Sequence, residues 1–97
     1  MKAKTTKEIK LKDGSTLPKG LPVSFIEGKD SRCLVHSPHH ALPLQVRITS
    51  AFKAPSYATL EKWSYDSIVK TPTGKRVEPD GHGSDGSPSW LLALGFI

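Results

Sequence analysis

Eight glycines and eight prolines punctuate this chain. That density argues against a helical bundle, because proline lacks the amide hydrogen a helix interior needs and both residues favour turns. Between the breaks, apolar and polar residues alternate at the two-residue period of a half-buried strand. Ile9 and Leu11 alternate with Glu8, Lys10 and Lys12, and Leu21, Val23 and Phe25 follow in strict alternation. Pro22 predicts that this second strand lies on an edge or begins there. Arg32 to His36 reads as the returning strand, with Cys33 and Val35 on one face and Leu34 and His36 on the other. Leu42, Leu44, Val46 and Ile48 give the cleanest alternation, with Gln45 and Arg47 facing water and Pro43 again marking an edge. Asp13-Gly14-Ser15, Leu17-Pro18-Lys19-Gly20, Glu27-Gly28-Lys29-Asp30 and Thr71-Pro72-Thr73-Gly74 carry the turns.

Two short helices are expected. Ser56 to Asp66 has a capping hydroxyl at Ser56 or Thr59, with Tyr57, Leu60 and Trp63 or Ser64 on its inner side. Ile68 and Val69 return to the sheet, and Val77 sits on a last strand. Residues 78–87 form a Gly/Asp-rich loop without periodicity. A second helix is expected over 88–95, capped by Ser87 with Pro88 at its first position and closed by Gly95. Trp90, Leu91 and Leu94 would be its buried stripe, with Phe96 folding back onto Leu91. Too short to hold alone, it must dock on another surface.

The fold class expected is mainly β with one or two short helices (α+β), a single domain over 1–97 with the C-terminal helix docked on the sheet. Residues 1–6 read as a flexible basic start, and no internal duplication is evident. A chain of 97 residues buries only roughly 60% of its unfolded surface, so surface recognition is a more natural use than a deep catalytic cleft.

Cys33 is the single cysteine and excludes an internal disulfide, which points to a reducing, cytoplasmic setting. No apolar segment of signal-peptide type is recognised behind Met1, and the longest apolar run, Trp90 to Leu94, is too short to span a bilayer. The net charge of +5 is unevenly placed. Residues 1–12 set five lysines against Glu8, and residues 31–62 set Arg32, Arg47, Lys53 and Lys62 against Glu61. Such an excess attracts polyanions through its long-range field, although a solvated lysine-rich start also serves solubility alone.

The segment Asp13 to Phe25, with Leu-Pro-Lys-Gly ahead of a Val-x-Phe strand, resembles the opening of SH3-like barrels and implies a small half-open barrel. At the other end, Thr71-Pro72-Thr73-Gly74, Val77 to His82, Asp85-Gly86 and Pro88 to Gly95 resemble the tail of short bacteriophage and prophage proteins. The resemblance implies a protein of a bacterial mobile element, at home in the cytoplasm of the host cell. It supplies no activity.

Four constellations bear on function. Cys33, His36, His39 and His40 lie within eight residues, but no second spaced pair follows, and adjacent histidines converge poorly on one zinc ion. Asp80 to Gly86 has the composition of a calcium loop, yet His82 stands where an oxygen ligand belongs and no terminal Glu follows. Cys33 paired with a histidine would make a nucleophile, but no phosphate loop or nucleophile elbow accompanies it. The expectation is therefore no enzyme, no metal and no cofactor. A basic sheet face with exposed rings suits nucleic acid: Lys10, Lys12, Arg32, Arg47 and Lys53, with Tyr57, Phe52 and Tyr65 as candidate stacking rings, while Trp63 and Trp90 read as core. The expected function is a non-enzymatic module binding nucleic acid through Lys10, Lys12, Arg32, Arg47, Lys53 and Tyr57. The alternatives are a phage-type accessory factor that binds a host protein, or a minor virion component.

Overall fold

The computed structural model describes residues 3–97. Among the described residues, eight short strands and three short helices follow one another: β1 (Ala3–Lys4), β2 (Ile9–Lys10), β3 (Thr16–Leu17), β4 (Pro22–Phe25), β5 (Arg32–Val35), β6 (Leu44–Arg47), α1 (Ile48–Ala51), α2 (Tyr57–Trp63), β7 (Val69–Lys70), β8 (Arg76–Val77) and α3 (Trp90–Ala93). The central sheet is antiparallel in the order β1-β4-β5-β6, flanked by the separate hairpins β2-β3 and β7-β8. It stays open, with β1 and β6 as its edges. After the turn of α1 the chain returns to its own beginning, where Thr6 N–H donates to Ala51 C=O at 2.9 Å and Lys53 N–H to Thr6 Oγ1 at 3.2 Å.

Alternation dictates which side chains of the sheet meet. Val23 pairs with Val35, and Phe25 with Cys33, which in turn faces Val46. Cys33 and Val35 are wholly buried, as expected from their spacing. One core gathers these residues with Ile9 and Leu17 from the first hairpin, Ile48, Ala51 and Phe52 from α1 and its end, Leu60 from α2, and Trp90, Leu91 and Ala93 from α3. Pro22 opens β4, and Pro43 stands just before the edge strand β6, both as the missing amide hydrogen requires.

Three turns share one hydrogen-bond pattern, two of them on the same Asp-Gly-Ser tripeptide at 13–15 and 85–87. Leu11 N–H donates to Ser15 C=O at 2.9 Å while Gly14 N–H returns to Leu11 C=O at 3.1 Å. Thr71, Lys75 and Gly74 repeat it at 2.9 and 2.9 Å, and Gly83, Ser87 and Gly86 at 2.7 and 3.0 Å. The glycine of each turn has φ of +90°, +86° and +83°. That left-handed residue lets a tight turn rejoin its strands without splaying them.

Several expectations are corrected. The flexible start does not hold for residues 3–6: β1 pairs Ala3 with Val23, and Ala3 and Thr5 are buried, while residues 1–2 lie outside the described residues. Leu42 is 77% exposed, because β6 begins only after Pro43. Ile48 opens α1 rather than ending the strand, so the described residues hold three helices and not one or two. Residues 78–87 are not loop alone: His82 bridges Pro88 in an antiparallel pair around the third turn. This pairing takes Pro88 out of the last helix. Ser89 is therefore the cap, its Oγ accepting from Leu92 N–H at 3.1 Å, and α3 is only Trp90–Ala93. Gly95 ends it as expected, at φ +74°. Gly95 N–H and Phe96 N–H close back on Leu92 and Leu91 C=O at 3.2 and 2.8 Å, the paired bonds of a Schellman motif.

Candidate nucleic-acid interface

The register of β5 against β6 sets Arg32 directly opposite Arg47. Residues paired across antiparallel strands project from the same face. Cys33 and Val35 take the core side, so Arg32 points the other way, and Arg47 with it. Like charges in this position repel. Among the described residues the one ion pair within 4 Å joins His82 and Asp30, so neither arginine has a carboxylate partner.

Arg32 and Arg47 line an open groove of about 930 Å³ together with Lys29, Asp30, Ser31, Gln45, Thr49 and the end of α3. The acid in this lining is already engaged: His82 Nε2 lies 3.1 Å from Asp30 Oδ1, and because a carboxylate only accepts, the imidazole donates. At the end of α3, the Leu92 and Leu91 carbonyls accept from Gly95 and Phe96 N–H. The groove therefore sets three cationic side chains against one carboxylate, Asp30, whose Oδ1 is held by His82.

The other expected contact residues do not join this groove. Lys10 lies on β2 opposite Thr16, and Lys12 lies in the following turn, both exposed. Lys53 is exposed beyond α1, where its amide bonds to Thr6. Tyr57 does not take the buried side of α2 but is 69% exposed, its ring tilted against Phe96 with centroids 5.8 Å apart. As the first residue of the helix it falls beyond the core stripe that Leu60 occupies. Phe52 is no stacking platform for a ligand, since it is buried with its ring stacked on Phe25 at 6.1 Å. Tyr65 is exposed, Trp90 is core as expected, and Trp63 is half-buried against that core. Sequence reasoning missed Lys29. Its place in the Glu27–Asp30 turn was visible, but nothing local brings that turn to Arg47.

The thiol and imidazoles are placed elsewhere. Burial pushes the Cys33 thiol up from 9.0 to about 11, which removes the thiolate a nucleophile needs near neutral pH. His36 bonds Ser24 across the sheet at 2.9 Å and His82 bonds Asp30. Among the described residues no group of three or more His, Cys, Asp or Glu side chains converges as a metal ion requires. No described helix is long and apolar enough to cross a membrane.

No protein family, curated protein or solved structure matches the chain. The functional reading therefore rests on its own residues.

Proposed function

We propose that this protein is a non-enzymatic module that binds the phosphate backbone of nucleic acid in the groove formed by Lys29, Arg32 and Arg47. The observation that carries the reading is the unpartnered Arg32–Arg47 pair. A phosphate between the two guanidinium groups converts a repulsive pair into two charge-assisted hydrogen-bonding contacts. The sheet order β1-β4-β5-β6, followed by the turn of α1 and the return to Thr6, supports reading the scaffold as a half-open barrel of SH3 type. The resemblance of the C-terminal block to phage proteins supports a place in a bacterial mobile element.

Fluorescence anisotropy of a labelled oligonucleotide tests this. Binding is expected at low salt, with log K falling against log salt at a slope of about −2 to −3, the value for three neutralised phosphates. Arg32→Glu or Arg47→Glu removes most of it, whereas Lys62→Glu on α2, outside the groove lining, changes little. No binding at low salt, or equal loss from all three variants, overturns the assignment.

A second reading has one observation in its favour. Tyr57, Phe96 (38% exposed) and Ile97 (57% exposed) form an apolar surface at the end of the chain, which suits a host protein partner. Partner capture that survives nuclease but is lost with Tyr57→Ser would support it over the groove.

A further inference from the structure

The loop between β4 and β5 has two sides, and the second holds a cavity of about 440 Å³. Gly28, Lys29, Asp30 and Arg32 line both it and the cationic groove. Phe25, Ile26 and Pro88 give it apolar walls, and His82 closes on Asp30 at its rim. We propose that this cavity takes one unpaired base of the bound strand, so that the ligand is single-stranded nucleic acid rather than duplex. This rests on the groove reading above.

The volume lies in the range of small-ligand sites, about 300–1,000 Å³, which combine mostly apolar walls with a few placed polar groups. The ring of Phe25 is stacked on Phe52 at an interplanar angle of 16° and remains only half-buried. It lines the cavity as part of an aromatic stack on which a base can continue the series. Asp30 spends Oδ1 on His82 and keeps Oδ2 as an acceptor for a base amino or imino hydrogen. Arg32, common to both sides, sits where the phosphate attached to that nucleotide would lie. An uncharged aromatic ligand leaves the charges of Lys29 and Arg32 unneutralised, and a bare phosphate leaves the apolar wall at Phe25 uncovered. A nucleotide satisfies both. A duplex keeps its bases stacked within the helix and would have to flip one out at a cost of a few kcal/mol.

The test compares labelled single-stranded DNA and RNA of about twelve nucleotides, the matching duplex, and free mononucleotides, all against the full chain at low salt. Single strands are expected to bind about tenfold or more tightly than duplex, the scale of one base stack. Phe25→Leu keeps an apolar side chain against Phe52 but removes the ring. It should weaken single-strand binding about tenfold and leave duplex binding unchanged. Ultraviolet cross-linking of the wild-type complex should map to Phe25–Arg32 or to residues 82–88, a readout that stands if the variant does not fold. Equal affinity for strand and duplex, with Arg47→Glu still abolishing both, overturns the base pocket and leaves the groove intact. A mononucleotide binding as tightly as the oligonucleotide overturns the strand as ligand. Absence of all binding overturns both readings.

Discussion

Thr73 donates its hydroxyl to Asp85 Oδ2 at 2.7 Å and so ties the β7-β8 hairpin to the turn that precedes α3. Ser87 supplies the other carboxylate oxygen with both its hydroxyl and its N–H. Thr71 Oγ1 lies 3.0 Å from Thr73 Oγ1 and accepts from Lys75 N–H. Each hydroxyl has one proton, and the assignment that uses all three runs from Thr71 to Thr73 to Asp85, with Ser87 meeting the same carboxylate. The 3.1 Å approach of Thr73 to Ser87 then needs no proton of its own.

Asp85 should therefore anchor the acid stability of this end of the molecule. Burial alone would raise its carboxyl, but the hydrogen bonds from Ser87 and Thr73 outweigh it and hold the group below its ordinary 3.8. A carboxyl lowered in the folded state contributes stability above the unfolded value, and that contribution is lost as pH falls through the folded one. Thermal melting should show wild type losing stability below about pH 4, with Asp85→Asn flatter across that window and less stable at neutral pH by about 1–3 kcal/mol. Asp13 makes the same turn bonds with Ser15 but is fully exposed, so Asp13→Asn should barely move the melting curve.

Arg47→Glu should separate stability from binding. It places opposite charges across β5 and β6 and is expected to raise stability by about 0.2–1 kcal/mol, while nucleic-acid affinity falls. Chemical denaturation beside anisotropy measures both. A variant that loses stability and affinity together would mean that Arg47 serves the fold rather than the ligand.

Cys33 should be inert until the protein opens. The side chain has no exposed surface and its thiol is raised to about 11. Thiol-reactive reagents should label it at the rate of unfolding, so raising the pH from 7 to about 9 should leave the labelling rate nearly unchanged, whereas a free thiol of ordinary pKa near 8.5 reacts faster as its thiolate fraction grows.

Ser89→Ala should cost about 1–2 kcal/mol. The hydroxyl accepts from Leu92 N–H at the start of α3 and donates to Pro79 C=O. Both partners lose a bond at once in a wholly buried position. Ser87→Ala should be destabilising through Asp85 instead, and not through the helix cap, which circular dichroism and pH-dependent melting together distinguish.

Much of the fold was legible because it is local. The alternation of Cys33, Leu34 and Val35 and the hydroxyl of Ser56 ahead of α2 depend on neighbours within a few residues. So do the glycines of the turns and Gly95, and these residues took the conformations their types prefer. Phe52 and Tyr57 misled for one shared reason: an aromatic ring states its need for contact but not whether the core or the surface will meet it.

The chain by itself determined its central strand pairs, its glycine turns and the Ser56 cap, since short-range hydrogen bonds and side-chain period are properties of adjacent residues. The α3 cap, by contrast, passed from Ser87 to Ser89 once Pro88 was drawn into pairing with His82. Tertiary structure alone decided the candidate site. Arg32 faces Arg47 only through the register of β5 on β6. Lys29 joins them through the same hairpin, and His82 reaches Asp30 across 52 positions of sequence. Contacts at that separation are set by burying one common core, around which each surface charge is carried to wherever its strand must lie.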